Sequence, residues 1–421
     1  MRILYVVHGY KPAFRIGGPI LSVSAAAESL VRKGHQVTVF TTNSNMDQDL
    51  DVPADCPVDV HGVEVWYFRR KDLIQQYLPF VPYLSKSIGF LYCPRMKAEL
   101  ARQVPRVDVV HTHLPFIYPT YVAAQAAFRF NKPLLYHQRG VLTPQNLQFR
   151  SLKKRLYLEA IEKPLLRRAA TLIALTATEQ ESYRRLGLRN PCRIIPNGIW
   201  PEQYRQEEIG PQRLDISASA RVILFMGRLH PTKECDKLIQ AFCQARHRLG
   251  ECVLVVAGPD EFGLIKEYRE IVRRHGAEDQ VLFPGMVTGE LKTNLLARAD
   301  LFCLPSRSEG FSMALLEALA SATPVLISPG CHFPEVEAAG AGKIVPTRVD
   351  CLADALVDLL SDGQRLRHMG EAGLCLVRHT YSWDHITDQL LDVYRQSIEA
   401  ARAPARRPGN SSFLCTRNRC D

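Results

Sequence analysis

The chain has 421 residues, 46% hydrophobic and 23% charged, with a formal net charge of +10 and twelve scattered cysteines. That length exceeds what one hydrophobic core fills, so two domains are expected, and the ordinary composition confines disorder to small segments. No run approaches the roughly 20 apolar residues that cross a bilayer, and the absence of any CxxC pair points to reduced thiols in a cytosol rather than a disulfide framework.

The opening "MRILYVVHGYKP" has too short an apolar run for a signal-peptide core and reads as a first strand. Short β-rich runs then alternate with longer helical patterns, the signature of βαβ units. Strands are expected at 3–7, 36–41, 63–68, 108–111, 133–137 and 171–175, with helices at 20–33, 89–103 and 151–168 among those between them. Residues 1–196 thus form a doubly wound, Rossmann-like domain. "NGIWPEQYRQEEIGPQRLDISASA", residues 197–220, lacks periodicity and is rich in polar, Pro and Gly residues, as a linker is.

The pattern restarts with "ARVILFMGRL", "CVLVVAG", "QVLFPGMV", "ADLFCLP", "TPVLIS" and "GKIVP" as strands of a second such domain, 221–382. An amphipathic helix at 383–402 carries Ile386, Leu390, Leu391, Tyr394 and Ile398 on one stripe and is expected to pack back on the first domain. The tail 403–421 has no apolar periodicity and is expected to be disordered; its Cys415 and Cys420 lack a histidine that would suggest a metal site.

Ligands in open α/β sheets bind beyond the carboxyl ends of strands. Arg228 follows the strand "RVILFMG", and Lys233 stands at the next helix start, where free backbone N–H groups already favour anions. The two cations suit a diphosphate; the plainer alternative is a salt-bridging surface pair. Glu309 follows "ADLFCLP", and the turn Gly310, Phe311, Ser312 aims its amides at the same cleft. Glu317 lies two turns into an apolar helix. A carboxylate there is expected to reach the cleft edge, where its two oxygens match a vicinal diol such as ribose.

"EGFSMALLE" with "ALASATPV", "MGRLHPTK" upstream and "IIPNGI" between the domains resemble the group 1 glycosyltransferases, family GT4. The resemblance runs from the first strand to about residue 400 and implies the GT-B fold, two Rossmann-like domains facing across a cleft. It implies that Glu309 contacts donor-sugar hydroxyls, Glu317 the ribose, and Arg228 and Lys233 the leaving diphosphate. In "RIGGPI", Gly17 and Gly18 resemble the family's glycine loop near the donor phosphate and acceptor, and His113 in "VVHTHLP" a histidine at the donor sugar; His111 reads as core. Arg139 in "YHQRGVLTPQ" resembles an arginine of a polysaccharide-building subgroup and falls in the acceptor cleft or in a structural loop. Asn197 marks a hinge or a plain turn.

The implied chemistry is retaining transfer from a UDP- or GDP-sugar to a hydroxyl of a glycan or lipid-linked acceptor, in bacterial surface polysaccharide synthesis, with no cofactor and no required metal. The alternatives are a sugar-nucleotide epimerase or phosphorylase, and a non-catalytic binding protein on the same fold. The basic charge suits an anionic partner. The stretch "RSLKKRLYLEAIEKPLLRR" reads either as a helix docking a cytoplasmic protein on the inner membrane face or as a solvated helix face. No aromatic-interleaved basic patch supports nucleic acid. Two departures stand out: Glu234, where many relatives have glycine, puts an acid beside the diphosphate site unless it points to solvent, and Ala322 in "SATPV" reads as a mild packing change.

Overall fold

The structure, a computed structural model, describes residues 1–46, 48–71, 91–144, 147, 152–204 and 216–403. Residues 205–215 of the linker, 404–421 of the tail, and the side chains that open the basic helix lie outside the described residues.

The first domain is built on an eight-stranded sheet in the order Cys192–Ile194, Thr171–Ala174, Leu134–His137, Val109–His113, Arg2–Val6, Gln36–Thr42, Val63–Phe68, Pro57–Val60. Every neighbouring pair is parallel except the last, an antiparallel edge strand reached through a turn at His61 and Gly62. The second domain carries a six-stranded parallel sheet in the order Val281–Gly285, Cys252–Ala257, Arg221–Met226, Leu301–Leu304, Val325–Ile327, Gly342–Ile344. The apolar runs of its strands are buried because helices cover both faces, which is what an all-parallel sheet requires. Both sheets have a point where the strand order reverses. It lies between Val109–His113 and Arg2–Val6 in the first, and between Arg221–Met226 and Leu301–Leu304 in the second.

The helix Trp383–Arg402 carries the stripe Ile386, Leu390, Leu391, Tyr394 and Ile398 into the first domain's core, against Tyr5, Val23 and Leu135. The chain therefore crosses between domains twice, and the crossings are tied together. Ile199 N–H donates to the Tyr381 carbonyl at 2.8 Å and Trp383 N–H to the Ile199 carbonyl at 2.9 Å, with the guanidinium of Arg32 4.2 Å over the Trp200 ring.

Three expectations are corrected. The strand expected to end at His111 runs to His113, because all five of its residues are buried and keep their ladder partners. The helix expected at 89–103 begins at Pro94, whose fixed φ and missing N–H suit a first turn. The helix expected at 151–168 is Leu152–Tyr157, then a π turn Leu158–Glu162, then Lys163–Arg168. Pro164 cannot donate to the preceding turn, which breaks the regular i to i−4 ladder there.

Ala322 is more than a packing change: its φ of 56° lies in the left-handed region, at a cost of about 1–2 kcal/mol for a residue with a Cβ. Part of that cost is offset by the lower unfolded-chain entropy of alanine relative to glycine. Ala322→Gly is expected to raise unfolding stability in urea by about 0.5–1 kcal/mol; a loss of stability would contradict the strain assigned here.

Candidate active site

In the second domain the two strands that flank the switch point supply the charged residues of the cleft. After Arg221–Met226 the loop passes Arg228 and enters the short 3-10 turn Pro231–Lys233; after Leu301–Leu304 it passes Ser306 and Glu309. The loops are joined where Arg307 N–H donates to the Thr232 carbonyl at 2.8 Å. Lys233 Nζ donates to Glu309 Oε1, and the Ser306 hydroxyl donates to the same oxygen. Their side chains are 18% and 9% exposed, so the pair sits at the edge of the protein interior, where it is screened less than a surface pair. The Glu309 amide donates to the Gly330 carbonyl at 2.8 Å. A Cβ on Gly330 would stand 2.4 Å from the carbonyl oxygens of Ser306 and Arg307, so only glycine lets these segments approach.

The remaining expected residues fall around this centre. Arg228 is 60% exposed and pairs with Glu261 at 3.6 Å. Ser312 caps the helix Met313–Ala320, its hydroxyl accepting from Leu315 N–H, and the Phe311 ring packs 5.5 Å from Phe333. Gly310 lies at the domain junction, since a Cβ on Gly140 would come within 3.6 Å of its Cα. Glu317 is not an open carboxylate at the cleft edge, as the sequence suggests, but a paired one. It is buried, with Oε1 accepting from Lys292 Nζ at 2.6 Å and Tyr204 hydroxyl at 3.1 Å.

Glu234 neither points to solvent nor faces the cleft as a free acid. It is buried, bonded by Arg307 at 2.7 and 3.0 Å and by Lys237 at 3.0 Å. Burial alone would raise its pKa, but hydrogen bonds from Thr347, Lys237 and Arg307 outweigh that and hold it below the usual carboxylate value. Its φ of 48° explains why glycine suits the position.

In the first domain Gly17, with φ 96°, caps the helix Gly18–Arg32, and a Cβ built at Gly17 or Gly18 would meet nothing within 4 Å. This loop is open to a ligand. His113 and Arg139 are turned inward. His113 is 1% exposed and takes Arg139 Nε–H on Nδ1 at 3.2 Å, while Arg139 Nη1 donates to Ser22 at 2.9 Å and Asn197 at 3.1 Å. Arg139 therefore binds the helix of the glycine loop to the first crossing segment, and Asn197 takes a hydrogen bond there. Burial lowers the Arg139 pKa to about 10, and its backbone has φ 50°.

His111, His113 and His137 share one face of adjacent strands, with ligand atoms within 4.8 Å of one another. Arginine can only donate, so His113 Nδ1 is an acceptor and its Nε2 carries the hydrogen. The three rings therefore do not offer three lone pairs to a cation, and the neighbouring guanidinium repels one. His111 is tied through Nδ1 to the Tyr394 hydroxyl at 2.8 Å. Burial, with Arg139 adding repulsion, pushes the His111 pKa down to about 3 and His113 and His137 well below the usual value.

Sequence reasoning missed Ser306, Lys292 and Tyr204. Ser306 was legible, two positions past the end of a strand at the switch point; Lys292 and Tyr204 reach Glu317 only through tertiary packing.

Two family models match: "Glycosyl transferase 4-like domain" over residues 17–198 and "Glycosyl transferases group 1" over 206–374. The chain belongs to the group 1 glycosyltransferases. A D-inositol 3-phosphate glycosyltransferase of Nocardia farcinica is 28% identical, the match covering 91% of this chain and 85% of that one. An uncharacterised glycosyltransferase of Methanocaldococcus jannaschii is 25% identical over 95% and 99%. Sucrose-phosphate synthase of Thermosynechococcus elongatus shares the fold at TM-score 0.72 and 22% identity, covering 95% of this chain and 99% of that one. Anabaena HepE, solved with UDP and glucose, shares it at TM-score 0.68 and 21% identity over 94% and 100%. This group 1 enzyme thus has the GT-B architecture, with its ion pair at the switch point of the second domain.

His137 makes a solution prediction. Both of its ring nitrogens are buried without a hydrogen-bond partner among the described residues. Its folded-state pKa lies below the unfolded one, so the stability from the neutral ring is full above about pH 6.5 and is lost as pH falls. His137→Leu is expected to reduce the loss of urea stability between about pH 6.5 and 5 by about 1 kcal/mol per pH unit. Equal acid sensitivity in the two proteins would contradict it.

Proposed function

We propose that the protein transfers a sugar, with retention of anomeric configuration, from a nucleoside diphosphate sugar to an acceptor hydroxyl. The observation that carries this reading is the Lys233–Glu309–Ser306 cluster at the second domain's switch point. Lys233 holds a cation where the diphosphate's charge grows as the sugar leaves, and Arg228 supplies a second, exposed one on the same loop. Glu309, freed from Lys233 as the diphosphate takes that cation, accepts hydrogen bonds from donor-sugar hydroxyls. Glu317 binds the ribose, and the amides of Gly310, Phe311 and Ser312 face the donor.

Retention is assigned to a front-face route in which the departing phosphate takes the acceptor proton while the protein holds both partners in place. No metal is given a role, because Arg228 and Lys233 suffice for the charge. UDP is the favoured carrier, on the strength of the UDP-bound Anabaena neighbour. The acceptor is placed at the first domain's open glycine loop, Gly17 and Gly18. His113 and Arg139 shape that wall from within: Arg139 fixes the His113 tautomer and the helix that carries the loop. The favoured acceptor is a glycan or lipid-linked saccharide of bacterial surface polysaccharide synthesis, met at the inner membrane face. A phosphorylated polyol is the second reading, favoured by the inositol phosphate relatives.

Product analysis tests the chemistry. With a panel of UDP- and GDP-sugars the wild type is expected to turn over at least one donor, with the anomeric proton coupling of the product matching that of the donor. Glu309→Gln and Lys233→Ala are each expected to lower kcat/KM by about 100-fold or more. Inverted product would refute retention, and unchanged rates in both variants would refute the site. For the membrane, flotation with vesicles is expected to rise with anionic lipid content and to fall with salt; recovery independent of lipid charge would contradict docking there.

A further inference from the structure

We infer that Lys292 is a second recognition residue for the donor's ribose, acting with Glu317. The inference rests on the donor reading above and extends it to a residue outside the sequence motifs. Lys292 sits on the helix Gly289–Arg298 and Glu317 on Met313–Ala320, helices that flank the strand Leu301–Leu304 at the switch point. The Lys292 ammonium reaches Glu317 Oε1 at 2.6 Å, the side chains being 24% and 5% exposed. The Tyr204 hydroxyl, arriving from the end of the crossing segment, donates to the same oxygen at 3.1 Å.

Both bonds fall on Oε1, and this has two consequences. The Glu317 side chain is held in one orientation by a half-buried cation and a neutral donor, partners that a helix carboxylate among Leu and Ala would otherwise lack. The ammonium has three donor hydrogens and one is spent on Glu317, so it can also donate to a ligand atom beside the carboxylate. A vicinal diol fits that pair: one hydroxyl donates to Glu317 while its neighbour accepts from Lys292. A sugar lacking one of the two hydroxyls would leave one of these charged groups unmatched in a poorly solvated place, and this discriminates more strongly than a missing apolar contact.

The test is calorimetric titration of the full-length protein with UDP and with 2′-deoxy-UDP. Wild type is expected to favour UDP by about tenfold or more. Lys292→Met is expected to weaken UDP about tenfold and to bring the two ligands within about threefold of each other. Lys292→Arg, which keeps a charged donor, is expected to retain most of the preference. A thermal melt of each variant checks folding, and the ratio of the two affinities is the deciding quantity. If Lys292 only braced Glu317, both ligands would weaken together and the ratio would stand; that result overturns the inference. GDP is titrated alongside: if it alone binds, the same ratios are read with GDP and 2′-deoxy-GDP, and if wild type binds neither UDP nor GDP, the donor reading itself fails.

Discussion

The Lys233–Glu309 ion pair is the constraint on which the catalytic cleft depends. Its partners come from loops after two adjacent strands, Arg221–Met226 and Leu301–Leu304, the pair between which the sheet reverses its order. Their meeting needs the glycine at 330, the Arg307 amide on Thr232, and Ser306 on the same carboxylate oxygen. Within the pair the two charges balance. On the proposed function, a diphosphate entering the site would exchange one anion for another at Lys233 instead of meeting a bare cation, and would free Glu309 at the moment a sugar hydroxyl needs an acceptor. A carboxylate left there without its lysine would bear a desolvation cost of several kcal/mol.

A second network holds the opposite wall. Arg139 bonds Ser22, His113 and Asn197 at once, and so joins the helix of the glycine loop, the end of a central strand and the first interdomain crossing. Gly140, next in the chain, brings that wall against Gly310 of the second domain. The helix Trp383–Arg402 closes the interior behind it through Tyr394, whose hydroxyl meets both His111 and Tyr5 at 2.8 Å. The wall is thus held by buried polar groups bonded to one another. Such networks are costly when partly satisfied, and the weak points of this one are Nε2 of His111 and His113 and both ring nitrogens of the neighbouring His137, which have no hydrogen-bond partner among the described residues.

The architecture was legible because parallel strands buried on both faces write themselves as continuous apolar runs. Val63–Phe68 and the helix Trp383–Arg402 occupy the residues the pattern gives. The placement of Arg228, Lys233 and Glu309 after strands was legible for the same reason: loop position follows once the strands are found. Side-chain direction was not. Sequence spacing puts Glu317 on a helix but does not reveal Lys292, 25 residues away, as its partner. It puts Arg139 after a strand but not the left-handed turn that sends its guanidinium inward. Glu234 and Ala322 stand out in sequence as departures from glycine, while the positive φ that makes them departures of conformation appears only in three dimensions.

Titration of UDP and GDP into wild type and Lys233→Met, at two salt concentrations, tests the donor site most directly. The account predicts saturable binding of at least one nucleotide to wild type, weakened about 100-fold or more in the variant and losing most of its salt dependence. Equal affinity in the two proteins would contradict it, for the diphosphate would then lie elsewhere than at the switch-point ion pair.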